Sequence, residues 1–338
     1  MNNFNYVQAN SIADASKTVS PNYDAMFVAG GTNLIDLWKY DILHPEILVD
    51  INHINSDNKI VEIENGVRIS AFATNAQTAY HELIEQKYPL LSKAILAGAS
   101  AQIRNMATNG GNLLQKTRCY YFYDPTVPCN KREPGSGCSA MNGQNRMNAI
   151  LGTSEHCIAV FPSDMCVALA ALEAVVNVSG VNGDRRIPFR DFHRLPGDTP
   201  NVDNNLVHGE VITSIDLPSE GFASNYSYLK LRDRHSYAFA LVSVATGLQL
   251  NDNVIEKARI ALGGVAHKPW RVVEAEDFLV GKAATRENFA QTAEMILAGA
   301  KGFGHNDFKI ELAKKAIVRN AMMALKPETQ LPGAKPSA

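Results

Sequence analysis

The sequence of 338 residues has no excess of charge of either sign, because 32 Lys and Arg stand against 34 Asp and Glu. A nucleic-acid partner is therefore not expected, since binding phosphates requires an excess of cations. The longest apolar stretches, 166–178 and 237–250, are interrupted by Glu173 or by Ser243 and Thr246, and neither reaches the roughly 18 apolar residues of a membrane-spanning helix. The first residues have neither the charged nor the apolar region of a secretory signal. The sequence thus predicts a soluble protein with no membrane span.

The five cysteines all lie between residues 119 and 166, and no two of them form a C-x2-C pair. A large chain without a secretory signal disfavours a disulfide framework, and the missing C-x2-C pair argues against a zinc ribbon. Segment 116–157 is rich in Pro, Gly and Asn, and four thiolates on such an irregular loop can ligate a [4Fe–4S] cluster. Ordinary free thiols are the alternative interpretation. Cys166 differs, because it lies in an apolar run on a predicted helix, where a free cysteine packs as a small hydrophobe.

Helix and strand signals alternate along the first 115 residues, which indicates an α/β or α+β domain. The sequence IVEIENGVRISA is typical of a hairpin with a type I′ turn at Asn65-Gly66. A boundary rich in Pro and Gly at 195–225 separates this part from a second α+β domain, and the tail 326–338 is predicted to be disordered. The predicted strands are 26–29, 47–50, 60–64, 67–71, 158–161, 175–178, 226–231, 239–250 and 255–262. The predicted helices are 11–19, 33–40, 77–86, 90–96, 164–174, 272–280, 288–300 and 308–325.

Two glycine-rich segments predict an anion site. The first, FVAGGTNL at 27–34, runs from a strand through two glycines, a hydroxyl and an amide into a helix; the second, TNGGN at 108–112, repeats this chemistry. Backbone N–H groups in such turns bind anions, and two loops suit the two sides of a diphosphate. FAD is therefore the leading ligand, although each loop alone is equally compatible with a tight turn. The chain has neither a G-x-G-x-x-G motif nor a P-loop lysine, which argues against the Rossmann and Walker interpretations.

Two charged residues outside these loops are candidates for the same site. Asp164 lies at the start of a predicted helix, where it either caps the helix or accepts hydrogen bonds from ribose hydroxyls. Lys230 lies in a strand pattern, where the simplest interpretation is an outward-facing side chain. No Ser/His/Asp or paired-carboxylate arrangement is present, so no catalytic residue is predicted in this chain.

The sequence resembles the flavin subunit of the xanthine dehydrogenase/molybdenum hydroxylase family. The similar segments are FVAGGTNL, QIRNMATNGGN at 102–112, PSDM at 162–165, EVITSI at 210–215 and YLK at 228–230. The resemblance covers the chain up to the tail and implies an α+β fold. It consists of a two-subdomain FAD-binding domain (PCMH/VAO-like, about 1–50 and 51–220) and a domain at 225–325 similar to the CO dehydrogenase flavoprotein C-terminal domain.

The resemblance also implies the cofactor contacts. The expected FAD-binding residues are Phe27, Val28, Ala29, Gly30, Gly31, Thr32, Asn33, Leu34, Leu96, Thr108, Gly110, Gly111, Asn112, Asp164, Ile212 and Lys230. Segment 116–157 is an insertion that many members lack. It is most similar to the branch of bacterial periplasmic-type aldehyde oxidoreductases, whose flavin subunit carries an additional [4Fe–4S] cluster. The ligands that this likeness implies are Cys119, Cys129, Cys138 and Cys157.

The implied assembly is a heterotrimer that oxidises aldehydes. A molybdopterin-binding large subunit would oxidise the aldehyde, a small subunit with two [2Fe–2S] clusters would pass electrons to FAD, and an external acceptor would receive them. A stand-alone flavin reductase of the same fold and a non-enzymatic zinc-loop scaffold are the rival interpretations. The expected compartment is the cytoplasm, or the periplasm if a partner with a twin-arginine signal exports the complex.

Overall fold

The computed structural model describes residues 1–54 and 59–330, and its first layer is a small parallel sheet. The strands pair in the order β1-β3-β2, and both pairs are parallel, so helices cross over between the strands. Ser11 caps the first crossover helix, because its hydroxyl accepts a hydrogen bond from the backbone N–H of Asp14. The elements of this layer are β1 (Asn5–Gln8), α1 (Ile12–Val19), β2 (Ala25–Val28), α2 (Leu34–Lys39) and β3 (Ile47–Asp50).

The central layer is a five-stranded antiparallel sheet of order β4-β5-β8-β6-β7. The long excursion between β5 and β6 contains seven helices and the irregular cysteine segment. The elements are β4 (Ile60–Ile63), β5 (Gly66–Ser70), α3 (Asn75–Ala79), α4 (Glu82–Lys87), α5 (Pro89–Ala97), α6 (Ala101–Met106), α7 (Asn109–Leu113), α8 (Tyr120–Tyr123), α9 (Asp164–Ala171), β6 (Val175–Gly180), β7 (Gly183–Pro188), α10 (Phe189–Phe192) and β8 (Val211–Pro218).

The C-terminal layer is a four-stranded antiparallel sheet of order β12-β11-β10-β9. The long last helix packs against β9 and β10 and against the helix before it. The elements are β9 (Tyr226–Leu231), β10 (Val242–Asn251), β11 (Val254–Gly263), β12 (Trp270–Arg271), α11 (Val273–Asp277), α12 (Arg286–Ile296), α13 (Phe308–Ala324) and a short 3-10 helix (Pro327–Thr329).

The cysteine segment is tied to the rest of the molecule by two apolar clusters. Ile150 and Leu151 are buried in the core of the C-terminal layer. A separate small cluster surrounds the cysteines and includes Leu37 from α2 and Phe303 from the turn before α13. The insertion therefore packs between the first and the C-terminal layers.

Three local predictions are wrong. Residues 158–161 do not form a strand, because their backbone bonds go to separate segments: Ala149 donates to Ile158, and Phe161 donates to Ala266. The predicted helix 77–86 is broken at His81, whose extended backbone starts α4. The hairpin of β4 and β5 forms, but neither Glu64 nor Asn65 has a positive φ, so its turn is not type I′.

Two further expectations concern membranes and the tail. Within residues 1–54 and 59–330, no helix is long and apolar enough to cross a bilayer. The tail expected to be disordered starts with a 3-10 helix at Pro327–Thr329, and the Gln330 side chain donates to the carbonyl of Tyr226. Residues 331–338 lie outside the described part of the chain.

Asn320 fastens α13 to the C-terminal sheet, so we expect Asn320→Ala to destabilise the protein. Its buried amide nitrogen donates to the carbonyls of Ser227 (3.1 Å) and Val244 (3.0 Å) and to the hydroxyl of Thr246 (2.8 Å). Losing these bonds leaves buried acceptor oxygens without this donor, which lowers the free energy of unfolding by about 2 kcal/mol. Urea denaturation measures the loss, and Lys315→Ala on the exposed face of the same helix serves as the control. Equal stability of both variants would contradict the role of Asn320.

Candidate functional site

The two glycine loops meet in the structure. The first loop, 27–34, leaves β2, and the second, 108–112, starts α7. Gly30 lies directly against the backbone before the second loop, since a Cβ added there would come within 1.9 Å of the carbonyl oxygen of Met106. Gly31 has a φ of +70°, which favours glycine. Both glycines are therefore required by the backbone itself, and the loops that the sequence singled out form one site.

Contacts with the central sheet hold the second loop in place. The N–H of Gly110 donates to the carbonyl of Ala71 (2.8 Å), and a Cβ at Gly110 would touch the side chains of Ala71 and Ile212. The hydroxyl of Thr108 caps α7 by accepting from the N–H of Gly111 (3.3 Å). The side chain of Ile212 in β8 thus packs against the second loop.

A buried asparagine network orients the side chain of Asn112. Asn112 donates to the side-chain oxygen of Asn75 (2.7 Å), and Asn75 donates to that of Asn109 (3.0 Å). The Ser163 hydroxyl donates to Asn112 (2.5 Å) and also caps α9. Sequence reasoning missed Asn75 and Ser163, although the capping box at Thr74 marks the helix start on which Asn75 lies.

Asp164 and Lys230 form a buried ion pair. The Lys230 Nζ lies 2.7 Å from Asp164 Oδ2, and the two side chains are only 4% and 8% exposed. Lys230 also donates to the carbonyl of Ala97 (3.0 Å), which follows Leu96 at the end of α5. Lys230 therefore points inward, contrary to the simplest interpretation of its strand pattern.

Tyr228 completes this group, and sequence reasoning missed it. Its hydroxyl donates to Asp164 Oδ1 (2.6 Å), and burial together with the Asp164 charge raises the pKa of Tyr228. Tyr228 and Lys230 are two residues apart on β9 and so share one face of the sheet, a spacing that could have indicated the pair. The Asp164 carboxylate has further lone pairs, so it can also accept from a ligand hydroxyl.

A cleft of about 1200 Å³ opens beside Asp164, between the first layer, the cysteine segment and the C-terminal sheet. Its walls are rich in aromatic side chains, and Asp36 and Arg118 supply charge at one side. Such mostly apolar clefts with a few polar groups are typical of cofactor sites. The aromatic residues in the walls are Tyr40, Tyr120, Tyr123, Phe161 and Phe239.

The other expected contacts of the first loop lie around it. Phe27 and Val28 end β2, and the carbonyl of Ala29 accepts from Asn52. The Asn33 side-chain oxygen accepts from the N–H of Lys116 (2.9 Å), which ties the first loop to the start of the cysteine segment. The two remaining residues of the loop, Thr32 and Leu34, lie just before and at the start of α2.

The four cysteines of segment 116–157 line a single small cavity. The backbones of Cys129 and Cys138 pair as an isolated antiparallel β-bridge, and a hydrogen bond from the Cys157 thiol lowers the pKa of Cys138. Cys119 closes the cavity on the side of the aromatic cleft, because it lines both. Cys166 lies elsewhere, fully buried in α9.

Hydrogen-bond donors surround the cysteine sulfurs. Backbone N–H groups reach Cys119 from Tyr121 and Phe122, and Cys138 accepts from the N–H groups that follow it and from Ile158. The Asn148 amide donates to Cys119 Sγ at 3.5 Å. Donors of this kind stabilise charge on ligating sulfur atoms.

Buried polar side chains also help to order the irregular segment, in addition to the two apolar clusters. Lys131 forms a buried ion pair with Asp203 and donates to the carbonyl of Pro200 (2.7 Å). Although burial raises the pKa of Asp203, Lys116 and Lys131 lower it to about 2. The Nε2 atom of His267 lies 3.8 Å from Cys157 Sγ.

Comparison with known families identifies the class of this chain. The family of the FAD binding domain in molybdopterin dehydrogenase matches residues 2–220, and the CO dehydrogenase flavoprotein C-terminal domain matches residues 226–324. The chain therefore belongs to the FAD-binding subunits of the molybdenum hydroxylase family. This confirms the family and the α+β fold class predicted above, and it establishes an FAD-binding component of an oxidoreductase.

Individual relatives agree with this assignment. The chain is 45% identical to the aldehyde oxidoreductase FAD-binding subunit PaoB of Escherichia coli K12, over 94% of this chain and 96% of that protein. It is 30% identical to the glyceraldehyde dehydrogenase medium chain of Sulfolobus acidocaldarius, over 82% of each. Among solved structures, reconstituted CO dehydrogenase from Oligotropha carboxidovorans shares the fold with a TM-score of 0.75 at 24% identity, covering 96% of this chain and 98% of that one.

A matched pair of glycine variants tests the loop site. We expect Gly30→Ala to lose FAD and about 2 kcal/mol of stability, because its Cβ overlaps the Met106 carbonyl and forces the loops apart. Gly111→Ala meets only the Thr108 hydroxyl at 3.1 Å, so we expect it to keep its stability without ligand and yet to bind FAD more weakly. Flavin absorbance per protein and thermal unfolding measure both effects. Full flavin occupancy in Gly30→Ala would rule out this arrangement of the loops.

Proposed function

We propose that this chain is the FAD- and [4Fe–4S]-carrying electron-transfer subunit of a molybdenum-dependent aldehyde oxidoreductase. The observation that carries the proposal is the joint presence of a four-cysteine cavity and an aromatic cleft that share Cys119. Its substrate class follows from the similarity to PaoB, which extends over nearly the whole of both chains. In the proposed complex, a molybdopterin-binding large subunit and a small subunit with two [2Fe–2S] clusters are the partners.

The residues present fit FAD in an extended pose. The first and second loops would hold the pyrophosphate, since backbone N–H groups of glycine turns bind anions and the FAD-binding family model spans both loops. Asp164 would accept from a ribityl or ribose hydroxyl, while its hydrogen bonds to Tyr228 and Lys230 hold the carboxylate in place. Ile212 would lie under the second loop, and Leu96 would lie beside the Ala97–Lys230 contact.

The residues present fit a [4Fe–4S] cluster by the chemistry of their donors, which are four cysteine thiols around one cavity. Among residues 1–54 and 59–330, the His, Cys, Asp and Glu side chains form no group of three or more that could hold a metal ion as they stand. Four sulfurs around one zinc at about 2.3 Å must converge on one point, whereas a cluster spaces its thiolates farther apart. The ligands in this proposal are Cys119, Cys129, Cys138 and Cys157, which line one cavity.

The chain's own task is to position redox groups. When bound, FAD supplies the exchange between electron pairs and single electrons, so that electrons from the small subunit can leave to an external acceptor. The loops and the Asp164–Lys230 pair would hold the cofactor, and the aromatic walls of the cleft would shield it from water. The described residues around the cleft supply no activated nucleophile for an aldehyde, so oxidation of the substrate belongs to the partner.

This division of labour predicts that the isolated chain does not oxidise aldehydes. We expect the purified subunit to carry flavin and iron and to show no aldehyde-dependent reduction of a dye, and we expect activity to appear when the molybdenum-containing partners are added. Steady-state assays of both preparations with several aldehydes measure this. Turnover by the molybdenum-free subunit would sink the proposal; flavin without iron would favour a stand-alone flavin reductase, and zinc without iron a scaffold.

Two cysteine variants separate the proposed ligands from the core cysteine. We expect Cys138→Ser to lose the cluster iron and to make residues 119–157 sensitive to protease, because metal binding is coupled to local folding. Cys166→Ala should keep its iron and lose only about 1 kcal/mol, since it removes one small buried group from α9. Iron per flavin, measured after anaerobic purification, decides. Unchanged iron in Cys138→Ser means that this cavity holds no cluster.

A further inference from the structure

We propose that Asn148 is a positioning residue of the four-cysteine site, which fixes the Cys119 sulfur and raises the reduction potential of the bound cluster. The inference rests on the proposed [4Fe–4S] site. Its starting point is the hydrogen bond from Asn148 Nδ2 to Cys119 Sγ (3.5 Å). This contact is made by a side chain, so a substitution can remove it, unlike the backbone donors to the same sulfur.

The backbone of Asn148 is held from three directions. Its carbonyl accepts from Lys309 Nζ (2.8 Å) and from the Asn306 amide (3.3 Å), and its N–H donates to the carbonyl of Asn145 (2.8 Å). Asn148, Asn306 and Lys309 are all buried. Because Asn306 and Lys309 belong to the C-terminal layer, the orientation of the amide is set by an element separate from the cysteine segment.

Lys309 shows how strongly this backbone is fixed. Its ammonium group is fully buried and donates to the carbonyls of Asn148, Met147 (3.4 Å) and Gly264 (2.5 Å). Lysine is among the residues least often buried, because removing its charge from water is unfavourable without compensating bonds. Its three carbonyl acceptors join the end of the insertion to the turn after β11. The anchor therefore stabilises the segment that carries Asn148.

Asn148 lies at the partition between the two proposed cofactor sites. Cys119 lines both the cysteine cavity and the aromatic cleft, and Asn148 lines the cleft. The hydrogen bond between them therefore lies where the cavity and the cleft adjoin. A change in the charge on the Cys119 sulfur acts on electron exchange across this partition.

The expected direction of the effect follows from charge. Reduction adds negative charge to the cluster and its thiolates, and a donor to a ligating sulfur stabilises that charge. Asn148→Leu removes the donor at similar volume, so the midpoint potential should shift in the negative direction. Asn148→Asp replaces the donor by a carboxylate next to the sulfur, so its shift should have the same sign and be larger.

The experiment is an EPR-monitored redox titration of the assembled complex, with iron and flavin counted in each preparation. Asn148→Leu and Asn148→Asp should retain iron and titrate at more negative potentials than the wild type, while the neighbouring control Met147→Leu should titrate like the wild type. A wild-type potential in Asn148→Leu with iron retained overturns the inference alone. Loss of iron from both Asn148 variants overturns the tuning role, and wild-type protein with flavin but without iron overturns the cluster proposal itself.

Discussion

The buried ion pair between Asp164 and Lys230 is the interaction on which the site depends. Asp164 starts α9 in the central layer, Lys230 lies on β9 of the C-terminal sheet, and both meet at the carbonyl end of α5. Removing one partner of such a pair leaves an uncompensated buried charge and costs about 3–5 kcal/mol. The pair also connects through Ser163 to Asn112 of the second loop. These contacts therefore fix the Asp164 carboxylate, the second loop and the C-terminal layer relative to one another.

A feature of the fold could be predicted from the sequence when the residues that determine it lie close together in the chain. The first helix, the hairpin strands and α13 depend on nearby residues, and each formed close to where the pattern placed it. Residues 158–161 have the apolar composition of a strand, yet they pair with no other strand, because their hydrogen-bond partners are single groups on distant segments. The inward direction of Lys230 is stabilised by Asp164, 66 positions away, and the local strand pattern does not identify that partner.

Within the candidate site, too, some residues could be predicted from the sequence and others could not. The glycines of both loops and the clustered cysteines can be recognised in the sequence. Few residue types other than glycine allow two backbone segments to approach closely, and cysteine is the residue that supplies thiolate ligands. The residues that hold them in place do not stand out. Asn75, Asn148 and Lys309 have ordinary neighbours in the sequence, and their roles come from buried hydrogen bonds to segments folded from elsewhere. Supporting residues of this kind could be found only once the structure had placed them.

The position of the insertion in the chain has a physical consequence. Its start is bound to the first loop through Lys116 and Asn33, and its end leads into α9 and Asp164, so it interrupts the chain between two parts of the proposed flavin site. A long irregular connection has more conformational entropy to lose than a short one, so its order must be supplied by specific contacts. The Lys131–Asp203 pair and the Lys309 anchor supply part of it from the layers on either side. Ligation of the four thiolates would add the remaining constraint at the centre of the segment, and in this way would also hold the two ends of the flavin site in register.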